Sequence, residues 1–212
     1  MKQLDVCMGG TEMIYIVIVV TFILVLCGLY LISLARRIDR LQSTVMKSRR
    51  SLENALTARA QYAHDFAHMD VLDMAGSVLL SDSADLCLRL GMLPIVDDGL
   101  DSLDPLHVEH EERIEHLDNN RLCAEEHLSE TLRLTLNSLH DIDQEATQYI
   151  MNDEQRYVFE QLERARLDVR LTRSFHNSHV EQIQNLRNEF FVRTFHLAGF
   201  SSLPITVDFD DE

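Results

Sequence analysis

The sequence predicts an all-α protein, in which one amino-terminal transmembrane helix continues into an antiparallel bundle of three to four long helices. Three observations lead there. Residues 13–35, MIYIVIVVTFILVLCGLYLISLA, carry no charged side chain, and at about 1.5 Å of rise per residue the run can cross a hydrocarbon layer of about 30 Å. Only three Pro and seven Gly interrupt 212 residues, which leaves few places to turn. Beyond the run, apolar side chains recur in alternating steps of three and four, the spacing of a seam between packed helices.

The apolar run anchors the rest. A core helix of a soluble protein is the competing reading, but such helices keep a polar face and this run has none. Lys2 precedes it against Asp5 and Glu12, whereas Arg36, Arg37, Arg40, Lys47, Arg49 and Arg50 follow it against Asp39 and Glu53. Excess Lys and Arg marks the cytoplasmic side, so residues 1–12 are expected as an extracytoplasmic tail and the domain after Ala35 as cytoplasmic, on a single-pass protein of the plasma membrane. A cleaved signal would carry its basic region before the run, and the bulky Leu26 before Cys27 does not suit a lipoprotein signal.

Composition limits the partners. A net charge of −16 and a pI near 4.9 make nucleic acid or an anionic lipid surface poor partners for the domain as a whole, leaving the bilayer around the apolar run and a protein partner or self-association. The basic cluster Arg36 to Arg50 is the exception, reading as a topology signal that also lies against anionic headgroups. Four cysteines without CxxC spacing predict no structural disulfide.

Residues 36–195 are expected as the bundle domain, interrupted by a loop at 92–106. Its first helix carries a seam of Ile38, Leu41, Val45, Ser48, Leu52, Ala55, Arg59, Tyr62, Phe66 and Met69, with Arg59 burying its stem and extending its guanidinium to the edge. A short helix follows between Asp70 and Leu90, with Ser81 or Ser83 as the cap of another and Gly91 as its end. Pro94, Gly99, Pro105 and four aspartates make 92–106 a linker. Arg121, Ala124, Leu128 and Thr135 mark a third helix whose other face is acidic. Twelve carboxylates between Asp97 and Glu130 read as a solvated face, with a docking patch for a basic partner or divalent cations as the sharper alternative. A final helix from about Asp153 to Phe195, capped at Asn152, carries a seam from Val158 through Val169, His176, His179, Ile183 and Leu186 to Phe190. Residues 196–212 are expected as an extended acidic tail whose charged end stays in water.

The last helix also carries a motif. Arg173, Phe175, Asn177 and Val180, followed by Leu197-Ala198-Gly199-Phe200, Pro204 and Phe209-Asp210-Asp211, resemble the carboxy-terminal signature of LemA-like proteins. The apolar run and the Leu52 to Ala60 segment are similar to that family in outline. The chain lacks the Leu-Ile-Pro-Asn-Leu-Val run of better-known members, with Leu56-Thr-Ala-Arg-Ala-Gln in its place, and so looks most like the divergent actinobacterial branch. Residues 70–152 match nothing in it. The resemblance implies a membrane-anchored antiparallel bundle without an established enzymatic activity. For Arg173, Phe175 and Asn177 the plain expectation is packing and a side-chain bond to a neighbouring helix or the tail, with partner binding as the alternative.

No phosphate-binding glycine loop, GxSxG or HExxH occurs. Ten histidines are unusual, and the pairs His64 with His68 and His176 with His179 are weak metal candidates if the first and last helices bring them together. Bundle di-iron sites need Glu three residues before His, and no His here has one. No cofactor, catalytic residue or small-molecule substrate is expected. The favoured function is a non-enzymatic, membrane-anchored interaction or scaffold module; the alternative is a membrane-bound metal protein or hydrolase using the histidine pairs.

Overall fold

The computed structural model describes residues 2–93, 95, 118–141, 151–194 and 203–209, and every regular element among them is helical. Helix α1, Lys2–Ala67, has 66 residues, about 100 Å at 1.5 Å per residue. Lys2 to Glu12 belong to it, continuous with the apolar run. No Gly or Pro stands between Tyr30 and Ala67 to bend it.

The large apolar side chains from Met13 to Tyr30 are uncovered. Met13, Phe22 and Leu24 expose 63–68% of their surface, and the most apolar window of α1 is 0% buried. Burial begins at Leu34 and Ile38 and recurs at Val45, Leu52, Leu56, Arg59, Ala63 and Phe66. The same helix therefore has two surroundings, with its seam starting where its apolar run ends.

After Ala67 the chain reverses through Asp70, whose φ of 54° lies in the left-handed region that Asp tolerates better than most residues. Helix α2, Met74–Leu90, begins at Asp73, whose carboxylate accepts from the Gly76 amide. The caps expected at Ser81 or Ser83 are not used. Both residues lie inside α2, where Ser83 bonds the Leu79 carbonyl and faces His127 and Thr131 of the next helix. Pro94, residues 96–117 and residues 142–150, which hold most of the expected linker and acidic stretch, lie outside the described residues.

Helix α3, Asp118–Asp141, returns alongside α2: Ala124 meets Cys87 and Thr131 meets Ser83. Helix α4, Asp153–Arg187, starts with a capping box, with Asn152 and Gln155 exchanging side-chain to backbone bonds of 2.8 Å in both directions. Gln155 also donates to the Met69 carbonyl at 2.7 Å, fixing α4 to the turn after α1.

Helices α1 and α4 are antiparallel. Phe66 lies by Phe159, Ser48 by His176, Val45 by Val180 and Ile183, and Leu34 by Leu186 and Val192. Helices α2 and α3 cover only the far end of α1, so a four-helix bundle at Glu53–Ala67 narrows to an α1–α4 hairpin nearer the apolar run.

The last helix is shorter than the seam predicts. It ends at Asn188, whose amide reaches the Gln184 and Asn185 carbonyls, and α5, Phe190–Thr194, restarts after it. The break turns Val192 inward against Leu34 and Ile38 and leaves Phe190, expected in the seam, 74% exposed. The tail from Leu203 to Phe209 forms no helix and packs back on the bundle, while the charged end expected in water, Asp210 to Glu212, lies outside the described residues. Pro204, Val207 and Phe209 are buried, the latter two against Leu52, Leu56 and Val169.

Candidate functional site

A cluster of sequestered polar residues lies between α1 and α3, close to α2 and the tail. Arg59 and Glu125, each 2% exposed, are joined at 2.8 Å between a guanidinium nitrogen and Oε2. The other terminal nitrogen donates to Ser129 Oγ at 2.8 Å, and the first also reaches the Glu125 carbonyl at 3.2 Å. The expected snorkel of Arg59 is thus corrected: α3 covers α1 there, and the guanidinium ends inside. Glu125, assigned to the solvated acidic face, turns inward because it stands beside Ala124 in the seam.

A second pair adjoins the first. Arg121, 1% exposed, lies 4.0 Å from Glu53, which also faces Arg49 at 3.6 Å. Burial pulls the Arg121 guanidinium below its ordinary value, against the opposing pull of Glu53 and Glu125. Cys87 donates to the Ala124 carbonyl at 3.2 Å, and its pKa is pushed far up, first by burial and then by Glu125. A thiol so raised is neither a nucleophile nor a ready metal ligand near neutral pH.

The tail is held by the residues of the motif. Asn177 uses both ends of its amide on Val207, donating to its carbonyl at 2.8 Å and accepting from its amide at 2.9 Å, as a neighbouring strand would. Arg173 donates to the Phe209 carbonyl, lies 5.0 Å from that ring's centroid and is 3.8 Å from Asp208. Arg59 stands 5.7 Å from the same ring, so Phe209 sits between two guanidinium groups. Gln184 completes the clamp on the Pro204 carbonyl at 2.8 Å. Val180 is buried against Val45, Phe175 is 62% exposed, and Gly199 lies outside the described residues.

The histidine pairs do not converge. His64 faces Asp85 of α2 at 3.5 Å and stacks on His68 at 4.5 Å, whereas His176 is buried with Nδ1 3.1 Å from Ser48 Oγ. Ser48 and His64 are sixteen residues apart on α1, about 24 Å of helix. His179 lines a separate groove beside Arg40 and Thr44. No group of three or more His, Cys, Asp or Glu placed to hold a metal ion occurs among the described residues.

The outer face of α4 carries a second apolar pattern. Leu167 and Leu171 are 55% and 47% exposed and, with Phe175, form a stripe at four-residue spacing on the outer face of α4. The spacing itself was the available signal, masked by a stronger seam on the opposite face.

Together these features define a class: an all-helical bundle built on a helix long and apolar enough to cross a membrane, with a carboxy-terminal segment strapped along its last long helix. No known protein-family model matches the chain, and no curated protein or solved structure matches it.

Proposed function

We propose that the chain is a single-span, non-enzymatic membrane protein of the LemA-like type, whose bundle binds another protein or a second copy of itself at the cytoplasmic face of the plasma membrane. The observation carrying this reading is the exposed stripe of Leu167, Leu171 and Phe175 on α4, a helix whose opposite face is already filled by α1. Apolar stripes of this kind serve helix-in-groove and helix-on-helix recognition. The anchor is supported by the bare apolar run, and its orientation by the basic residues from Arg36 to Arg50.

The test is a photo-crosslinking residue at position 171 in the full-length protein in native membranes. One adduct of defined mass, abolished by Leu167→Ser with Phe175→Ser, is the expected result. An uncrosslinked monomer, or adducts indifferent to those changes, contradicts the reading.

A further inference from the structure

Where the α1–α4 hairpin approaches the end of the apolar run, its two helices leave a groove of about 580 Å³ between them. Arg37, Arg40 and Thr44 line it from α1. His179, Gln182 and, at the open end, Glu189 line it from α4 and the link to α5. The volume lies in the range of small-molecule sites, roughly 300–1,000 Å³.

Its depth is fixed by the helix. Arg37 and Arg40 stand two and five residues past Ala35, which places them about 3 and 7.5 Å beyond the end of the apolar run. A headgroup layer is roughly 5–8 Å thick on each side of the hydrocarbon. Thr44 and His179 lie deeper, beyond that layer. Antiparallel packing of Leu34 and Ile38 against Leu186 and Val192 brings the end of α4 and α5 to the same level. Phe190, 74% exposed, then projects at the boundary where aromatic rings anchor proteins in the interface.

We propose that this groove is a binding site for the phosphodiester headgroup of an anionic, hydroxyl-bearing phospholipid; the proposal rests on the membrane-spanning reading of residues 13–35. Arg37 and Arg40, one helical turn apart, hold the phosphate at headgroup depth. The headgroup hydroxyls reach down to Thr44, Gln182 and His179. His179 lines this groove and its Nδ1 is covered by protein without a hydrogen-bond partner among the described residues, so a rotation of the ring toward the groove would let a headgroup hydroxyl satisfy it. Two guanidinium groups and the Glu189 carboxylate leave a single positive charge in the lining, which matches a singly charged diester better than a doubly charged monoester. The groove therefore differs from the rest of the basic cluster, which attracts anionic surfaces without shape.

The experiment uses full-length protein in detergent micelles given equal amounts of phosphatidylglycerol and phosphatidylcholine, with bound lipid counted by native mass spectrometry. One phosphatidylglycerol is retained in preference to phosphatidylcholine by about tenfold, the factor of one charge-assisted hydrogen bond. Arg40→Ala and the stem-preserving Arg40→Gln both remove the preference, whereas Arg36→Ala, an equal loss of charge beside the groove, keeps it. Absence of a headgroup preference, or its loss in Arg36→Ala as in Arg40→Ala, overturns the proposal. Displacement of the lipid by stoichiometric soluble glycerophosphoglycerol overturns the membrane source and assigns the site to a free phosphodiester. Failure of the underlying reading shows separately, as recovery of the chain in solution without detergent.

Discussion

Arg59 on α1 and Glu125 on α3 form an ion pair at 2.8 Å with both side chains 2% exposed, inside the bundle. Such a pair contributes little net stability against an apolar pair of the same volume, but removal of one member strands a charge. Arg59→Ala or Glu125→Ala is expected to cost about 3–5 kcal/mol, while Arg59→Met with Glu125→Leu costs far less. Urea unfolding of the protein in micelles distinguishes the two.

The tail clamp predicts a local effect. Asn177→Ala removes two hydrogen bonds to Val207, worth about 0.5–1.5 kcal/mol each, and Arg173→Ala removes the contacts to Phe209 and Asp208. Both variants should accelerate amide exchange at Val207 and carboxypeptidase trimming past Phe209, with far-ultraviolet circular dichroism unchanged. Unaltered exchange at Val207 in Asn177→Ala would show that the clamp does not hold the tail.

Cys87 predicts a pH dependence. Its folded pKa lies above the ordinary value of 9.0, so from pH 9 upward the unfolded chain releases this proton while the folded chain keeps it. The folded state binds more protons there, and stability falls with rising pH by up to about 1.4 kcal/mol per unit from this group. Cys87→Ser should flatten that alkaline decline in a thermal melt series; an unchanged slope contradicts the assignment. Near neutral pH, Cys123, which is exposed, should alkylate while Cys87 waits for unfolding.

The capping box at the start of α4 predicts a smaller loss. Asn152→Ala leaves the Gln155 amide without its acceptor and should cost about 1 kcal/mol, with Asn152→Asp retaining the bond. Thermal melts of the two variants measured side by side check the order.

Much of the helical frame was legible because its signals are local. The alternation at Val45, Leu52, Val169 and Ile183 and the cap at Asn152 depend on neighbours within a turn or two. What escaped depends on pairs distant in the chain. The Arg59 guanidinium reads as reaching the edge of its seam because its acceptor, Glu125, lies on another helix within an acidic run that resembles solvated surface. The burial of Phe209 required knowing that Asn177 and Arg173 face a returning tail. The break at Asn188 escaped because Asn is a permitted interior residue and the reason for stopping is tertiary, the inward turn of Val192 toward Leu34. The histidine pairs shared a periodicity but not a level along α1, which sequence spacing alone does not fix.

The central claim is that lipid covers residues 13–35, and Cys27, exposed within that run, tests it directly. In permeabilised native membranes, a charged maleimide should label a variant retaining only Cys123 and leave one retaining only Cys27 unmodified until denaturing detergent is added. Labelling of Cys27 at the rate of Cys123 in undisturbed membranes would contradict the account.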